Sequence, residues 1–206
     1  MRLPDPFTHP GYEGLGFDSV ALIDNDPVLR DELPNGKVSE VKNSAQYWGI
    51  DIQYPDMFPD EYAILSSTLL GYKSHRTTLE VVLPQYESFR VRGTTSAVTI
   101  APEQKGNKLV MGNIGSLEGE PKVGDLFKFS NHTKVYKITS FTKTSSTEWT
   151  LGLYPDIFKT TTGAEKPVFT GIVFTTKLMN GDSFRESLSH DGVYTGLSLQ
   201  LREHIS

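Results

Sequence analysis

The stretch from Val123 to Phe141, VGDLFKFSNHTKVYKITSF, places several chemically useful side chains close together. It carries Asp125, His132 and several hydroxyls, a combination that could serve general acid–base catalysis. Two runs of alternating apolar residues flank the polar break at residues 130–133, and this pattern is typical of an ordinary β-hairpin. The stretch is therefore either a reactive site or a structural hairpin, and the rest of the sequence has to decide between them.

The five histidines do not form a metal-binding or catalytic pattern. They lie in predicted loops or near the termini, at His9, His75, His132, His190 and His204. No two of them stand four residues apart on a helix, which excludes the HExxH zinc motif. A general acid or base needs burial or a close charged partner, and the sequence shows neither. We therefore predict exposed loop histidines.

The other candidate motifs are incomplete. Gly119–Asp125, GEPKVGD, has the glycine spacing of a P-loop but contains Pro121 and lacks the Lys-Ser/Thr pair, which favours a loop entering a strand. Asp24–Asp26 resembles the start of a calcium loop. Leu29 stands where that loop needs glycine, so a solvated turn is the better interpretation. We predict no catalytic, cofactor-binding or metal-binding residues, and the sequence identifies no binding residues.

Three weaker signals remain open. With 25 acidic residues, a distant pair of carboxylates could support glycoside hydrolysis. Asn131–Thr133 matches an N-glycosylation sequon, which has meaning only on a eukaryotic secretory route. Trp48 and Trp149 could stack on sugars or bases, but their strand context favours a role in a core or an interface.

Composition narrows the class of protein. The 206 residues suffice for one large domain or two small ones, and 37% apolar residues can supply a core. The chain has no cysteine, which excludes disulfides, zinc-thiolate sites and cysteine nucleophiles. The GxSxG motif of α/β-hydrolases is missing as well.

Charge and hydropathy exclude further classes. The net charge of −5 gives no basic footprint for nucleic acid and no polybasic patch for a membrane. No apolar run approaches the roughly 20 residues that span a bilayer. The N-terminal stretch has no apolar signal-peptide core, so we do not expect it to be a signal peptide.

The predicted elements are many strands and one main helix. Pro59–Lys73 has proline and acidic residues in its first turn and one apolar stripe at helical spacing, so it should cover one face of a sheet. That stripe is Tyr62, Leu65, Leu69 and Tyr72. Asn-Gly and Asp-Gly pairs, including Asn35-Gly36, mark tight turns between β-type runs. No βαβ rhythm appears, so we predict packed sheets or small barrels.

Two β-type runs near the C-terminus predict strands, Phe169–Leu178 and Val193–Leu201. Lys159–Pro167, KTTTGAEKP, predicts a polar loop and is a candidate domain boundary.

The N-terminal 19 residues are rich in proline and glycine and predict an extended arm. Its apolar residues need cover, either from the chain's own core or from a neighbouring subunit. They are Leu3, Phe7, Tyr12, Leu15 and Phe17.

An ordered series of segments has a familiar layout. GNKLVMGNIGSLEGEPKVGDLFKF is followed by HTKVYKITSF, WTLGLYPDIFKTTT and KPVFTGIVFTTKLMNGD, and RLPDP, RDELPNGK and AQYWGI precede them. The series resembles the distal tail proteins (Dit) of long-tailed siphophages of the Tequintavirus type, over nearly the whole chain. Each motif is weak alone, and the order of the set carries the resemblance.

The resemblance implies a fold in two parts. A ring-forming, β-sandwich-like Dit domain would comprise residues 1–88 and 166–206. An OB-like small β-barrel, residues 89–165, would be inserted between these segments. The run of short strands in the middle of the chain agrees with a partly open barrel.

The resemblance also implies a structural role in the virion. Dit subunits form a homo-hexameric ring between the tail tube protein and the hub or tip protein, where collar or fibre proteins could also attach. DNA passes through the lumen at ejection, with no sequence-specific recognition, and no catalytic residue is carried over. The alternative is a carbohydrate-binding or glycan-acting β-barrel with a groove lined by exposed Trp or Tyr.

Overall fold

The computed structural model describes residues 1–4, 16–181 and 186–206. Residues 5–15 of the predicted arm, which include Phe7, His9, Tyr12 and Leu15, lie outside these ranges. The described chain forms two compact units, Met1–Glu80 with Thr176–His204 and Val81–Thr175 with Ile205–Ser206. The predicted insert, residues 89–165, lies within the second unit, which extends further at both ends.

The described residues form one α-helix, fifteen strands and three short 3₁₀ turns, so the prediction of a mainly β fold with one main helix is confirmed. The helix α1 is Pro59–His75, and the 3₁₀ turns are Pro84–Tyr86, Thr95–Ala97 and Ile114–Ser116. The strands are β1 Ser19–Asn25, β2 Val28–Glu32, β3 Val38–Lys42, β4 Tyr47–Gln53, β5 Leu79–Val82, β6 Arg92–Gly93, β7 Thr99–Ile100, β8 Lys108–Gly112, β9 Leu117–Glu118, β10 Leu126–Phe129, β11 Val135–Lys143, β12 Glu148–Tyr154, β13 Pro167–Val168, β14 Val173–Leu178 and β15 Ser198–Glu203.

The first unit is built on a five-stranded sheet in the order β1-β4-β15-β14-β5. Alternate residues of β4 and β15 point into its core, and Ile50 lies opposite Leu201 in the antiparallel register. The start of the arm is on this sheet, because Leu3 is buried and its N–H donates to the Glu80 carbonyl at 2.8 Å. This part of the arm therefore finds its cover on its own chain.

Helix α1 begins and ends as its residue types predict. Pro59 occupies the first turn, and the Glu61 carboxylate accepts the Phe58 N–H at 3.1 Å. Arg76 ends the helix in a left-handed conformation. All four stripe residues are buried, and the Tyr72 hydroxyl accepts the Leu178 N–H at 3.1 Å, which places the stripe against the sheet. Within the described ranges, no helix has the length and apolar character to cross a bilayer.

The second unit contains a six-stranded sheet in the order β13-β10-β11-β12-β8-β7, which curls into a nearly closed, barrel-like form. Its core is rich in aromatic rings. Phe127 and Phe129 meet edge to face with ring centroids 5.0 Å apart, and Trp149 meets Phe141 in the same way at 5.5 Å. These contacts fill the inside of a sheet whose two end strands have only two residues each.

Two predicted strands are shorter than their patterns suggest. Val193–Leu201 alternates with period two, but only Ser198–Glu203 forms a strand at this end of the chain. Gly196 has φ +70°, which takes the backbone out of the extended region before β15. The predicted run Phe169–Leu178 likewise becomes a strand only from Val173. The alternation of side-chain types continues across a change in backbone conformation, so the sequence pattern overestimated the length of both strands.

Candidate assembly surface

His132 is buried, so the prediction of an exposed loop histidine is wrong at this position. Only 6% of the residue is exposed, and its Nε2 lies 3.3 Å from the Tyr136 hydroxyl. The rings of Phe129 and Phe158 pack against it. Burial, together with the positive charge of Lys159, lowers the pKa of His132 to about 4. The imidazole is therefore neutral at pH 7 and helps to fill the end of the barrel core.

The reactive-site interpretation of Val123–Phe141 also fails on geometry, because its acid and its base have different partners. The Asp125 carboxylate accepts hydrogen bonds from the Arg90 guanidinium and from the Lys122 N–H. His132 contacts Tyr136 instead, and the Tyr136 hydroxyl accepts the Phe158 N–H at 2.9 Å. The stretch is a β-hairpin, with β10 and β11 antiparallel and Phe127 opposite Tyr136.

The incomplete motifs have structural roles. Residues 119–125 form the loop that leads into β10. Asp24 lies in β1 and accepts a hydrogen bond from the Gln46 side chain at 2.7 Å, while Asp26 pairs with Lys42 at 3.6 Å. The predicted solvated turn is thus partly strand, because the β1–β4 pairing extends through Asn25. Across the described residues, no group of three His, Cys, Asp or Glu side chains could hold a metal ion.

Both tryptophans are buried, each only 2% exposed. Trp48 belongs to the core of the first unit and Trp149 to that of the second. Neither indole face is open to a ligand, so the hypothesis of a sugar-binding groove lined by these tryptophans is wrong. Their predicted core role is confirmed.

The loop at residues 159–167, predicted to be a polar connection, is held in place by the buried Glu165 carboxylate. This carboxylate accepts N–H groups from Thr162 and Gly163, the Thr162 hydroxyl and the side-chain amide of Asn131, all within 2.8–3.0 Å. Burial alone would raise the pKa of Glu165, but these hydrogen bonds favour the charged form and lower it below its ordinary value. The chain thus remains inside the second unit beyond this loop, up to Thr175.

The most exposed regular element of the first unit is the hairpin of β2 and β3. Asn35-Gly36 makes its turn, with Gly36 at φ +77° and the Asn35 side chain accepting the Lys37 N–H at 3.0 Å. Leu29 and Val41 lie opposite each other in the register and are 60% and 61% exposed. Val38, on the other face, is equally exposed at 60%.

The two faces of this hairpin carry different residue pairs. Side chains alternate between the faces of a strand, so the Leu29–Val41 pair lies on one face and the neighbouring Arg30–Glu40 pair on the other. Arg30 and Glu40 form an ion pair at 2.7 Å. The Asp31–Ser39 pair shares the side of Leu29 and Val41. We call this side the apolar face of the hairpin, after its two exposed apolar side chains. The sequence patterns did not single out this surface, because an alternating strand does not show whether its apolar side is covered.

Comparison with known proteins gives the family. Residues 3–86 match the model of the N-terminal part of the A domain of distal tail protein pb9, and residues 174–205 match that of the C-terminal part of the same domain. Residues 87–172 match the model of its B domain. The chain is also 63% identical over 205 residues to the distal tail protein pb9 of Escherichia phage T5, with 100% of both chains covered. This chain belongs to the distal tail protein pb9 family.

Membership in the pb9 family makes the chain a structural component of a phage virion tail. The resemblance to distal tail proteins found in the sequence is therefore confirmed. The family models divide the A domain into two segments on either side of the B domain. The two compact units of the structure divide the chain in the same order, with limits at Glu80 and Thr175.

Proposed function

We propose that six copies of this chain form a ring that joins the distal end of the tail tube to the hub or tip complex. The first unit is the ring-forming domain, and the second is an inserted OB-like barrel that reaches collar, fibre or other tip proteins. The role is structural and has no catalytic step. Membership in the pb9 family supports the location, and the exposed β2–β3 hairpin supports the assembly.

The exposed β2–β3 hairpin is the observation that carries the assembly proposal. A two-stranded ribbon is at best marginally stable in water unless one face is covered. Among the residues that the structure describes, β2 and β3 pair only with each other, while Leu29 and Val41 expose their apolar side chains. Identical subunits in a ring bury such a surface against a different surface of the next copy. The apolar face is therefore the contact that the next subunit, or the ring stacked on it, covers.

The acidic balance of the chain suits a DNA conduit. Tight binding to DNA depends on lysine and arginine neutralising phosphates, and this chain carries a net charge of −5. A negatively charged ring lumen would let DNA slide through at ejection. A cationic lumen in an imaged ring would contradict this part of the proposal.

The test is made on assembled tails. Phage carrying Leu29→Asp with Val41→Asp should yield tails whose distal end lacks the ring and the tip complex, because two carboxylates would have to be buried at the contact. Electron microscopy of the particles and infectivity measure the outcome. Arg30→Ala with Glu40→Ala, on the opposite face of the same hairpin, is the matched control and should assemble.

Two results would count against the proposal in different ways. The proposal of a six-membered ring would be wrong if the distal ring of wild-type tails held a different number of copies of this chain, or no copy of it. Normal tips in the Leu29→Asp, Val41→Asp phage would leave the ring standing and remove the hairpin from its contact.

A further inference from the structure

An open groove of about 490 Å³ crosses strands β8, β12 and β11 of the second unit. Most of the residues that line it carry a hydroxyl or an amide, and they are Thr139, Ser140, Thr142, Thr144, Thr150 and Asn107. Among the described residues of the lining, Lys108 is the single charged one, and none carries a carboxylate or an aromatic ring. We call this feature the Lys108 groove.

The strand register brings the lysine close to one of the hydroxyls. Gly152 of β12 lies opposite Lys108 of β8 on one side and opposite Ser140 of β11 on the other. The next residues along β8 and β12, Leu109 and Leu151, are fully buried in the core. Because side chains alternate between the faces of a strand, Lys108 and Ser140 lie on the outer face of the sheet.

A β-bulge adds a second hydroxyl beside Ser140. The β11–β12 register shifts between Ile138 and Ser140, so Thr139 is an extra residue in β11, and both Thr139 and Ser140 are exposed. A bulge of this kind re-aims a side chain and is common beside functional sites. A side chain on Gly152 would collide with the Ser140 hydroxyl and come within 2.8 Å of that of Thr139. The glycine therefore leaves room for both hydroxyls in the groove.

The polar groups of the groove are available to a ligand. The Lys108 ammonium and the hydroxyls of Thr139 and Ser140 make no hydrogen bond within the described part of the chain. The hydroxyls of Thr144 and Thr150, further along the same face, lie 3.0 Å apart and bond to each other. One end of the groove thus offers a cation and two hydroxyl donors that the protein itself does not use.

The charge of the second unit favours an acidic partner. The whole chain has a net charge of −5, but the second unit has 11 lysine and arginine residues against 8 aspartate and glutamate residues, a net charge of +3. Some of its lysines bond to the protein itself, as Lys128 does to the Val173 carbonyl and Lys166 to the Val98 carbonyl. Lys108 has no such partner among the described residues, so a carboxylate brought by a ligand meets an uncompensated positive charge.

The lining also selects the kind of anion. Single-stranded nucleic acid is held by a track of cations and by aromatic rings on which its bases stack, whereas this lining has one cation and no ring among the described residues. Hydroxyls both donate and accept hydrogen bonds, so they can bond to the N–H and carbonyl groups of an extended peptide as well as to a carboxylate. A peptide with an acidic side chain therefore matches every type of polar group in the groove.

We infer that the Lys108 groove binds an acidic segment of a partner protein of the tail tip. A carboxylate of the segment accepts from the Lys108 ammonium and from the hydroxyls of Thr139 and Ser140. The backbone of the segment lies along Thr142 and Thr150. This inference rests on the proposed contact of the barrel with tip proteins, and it adds the position of that contact and the charge of the partner.

The test uses the purified full-length chain and overlapping synthetic peptides that cover the other tail proteins of the same phage. Peptides that bind should contain Asp or Glu and should lose affinity when these residues are replaced by Asn or Gln. Lys108→Glu should weaken binding about tenfold or more, and Ser140→Ala several-fold. Lys105→Glu makes the same change in net charge at an exposed lysine outside the lining, so this matched control should bind normally.

An exchange of charges gives a second, positive readout. A peptide whose acidic residue is replaced by lysine should bind to the Lys108→Glu variant more tightly than to the wild type, because the attraction is restored with the opposite signs. Thermal unfolding of each variant separates loss of the site from loss of the fold.

Several results would overturn the site. They are the absence of binding to every peptide, wild-type affinity in Lys108→Glu, or an equal loss in Lys105→Glu. Displacement of the bound peptide by inorganic phosphate or by single-stranded DNA at the same concentration would overturn the assignment to an acidic protein segment. The copies in the ring are counted on particles, so failure of this site leaves the six-membered ring standing, and a different copy number leaves the peptide result unchanged.

Discussion

The two hairpins β2–β3 and β10–β11 share the same local pattern and have opposite environments. Each consists of two antiparallel strands joined by a polar turn. In β10–β11, Phe127 and Tyr136 lie opposite each other and are fully buried. In β2–β3, Leu29 and Val41 lie opposite each other and are about three-fifths exposed.

The difference comes from the neighbours of each hairpin. Strands β10 and β11 pair further with β13 and β12, so their inner face closes over a barrel core. Strands β2 and β3 pair with no other strand among the described residues. Turn and register are set locally, but burial depends on what lies against the face. The first hairpin therefore contributes to the stability of the chain, and the second is available to an assembly.

The largest expected effect is on the buried hairpin. Phe127→Ala should lower the free energy of unfolding by about 3–5 kcal/mol, because it removes a fully buried ring and leaves a cavity among Phe129, Tyr136 and Phe169. Chemical denaturation measures the change. A loss below about 1 kcal/mol would mean that this core is much looser than the packing indicates.

The connection of the buried hairpin should make stability depend on pH. His132 has a pKa of about 4 when folded and an ordinary value of 6.5, so the unfolded chain binds more protons between these values. The stabilisation is complete above pH 6.5 and is lost as pH falls through 4, by about 3 kcal/mol. Denaturation at a series of pH values should show this slope, and His132→Gln should flatten it. An equally steep slope in that variant would contradict the assignment.

A smaller effect is expected at Glu165, whose carboxylate also binds Asn131 in the turn between β10 and β11. Glu165→Gln should cost about 1–3 kcal/mol at pH 7, because an amide cannot accept all the hydrogen bonds that the buried carboxylate receives. In the wild type this stabilisation should fade as pH drops below the ordinary value of 4.5, since the folded pKa is lowered. Thermal unfolding gives both measurements. Glu120→Gln, at an exposed ion pair with Lys143, should change little, and an equal loss there would refute the role of Glu165.

The smallest effect is expected on the exposed hairpin. Leu29→Ala with Val41→Ala should change the free energy of unfolding of the isolated chain by less than about 0.5 kcal/mol for each substitution, because both side chains face water. Denaturation of the purified variant tests this directly. A loss similar to that of Phe127→Ala would show that the apolar face is covered within the chain, and the contrast between the two hairpins would then disappear.

Prediction from the sequence succeeded where the signal was local. Helix α1 has its limits within two residues of the predicted ones, because the proline, the acidic first turn and the apolar stripe all lie within the segment itself. The Asn35-Gly36 turn follows from the preference of glycine for positive φ. The family was also found from the order of weak motifs along the chain, and that order is a property of the sequence.

Prediction failed where the outcome depended on distant residues. His132 looked like an exposed loop histidine because its chain neighbours are polar. It is buried by Phe129, Tyr136 and Phe158, which reach it from β10, β11 and the loop after β12. The length of β15 was overestimated for a related reason, since a pattern of side chains carries no information on the backbone angle at Gly196.

The sequence by itself determined the class of fold, the single helix, the tight turns, the lack of cysteine chemistry and the family, because propensity, spacing and composition are local or additive properties. Only the tertiary structure decided which hairpin is buried, that both tryptophans belong to cores, and that Lys108, Thr139 and Ser140 line one groove. These outcomes depend on contacts between residues far apart in the chain. Burial is a property of the assembled layers, and no single strand carries it in its own pattern.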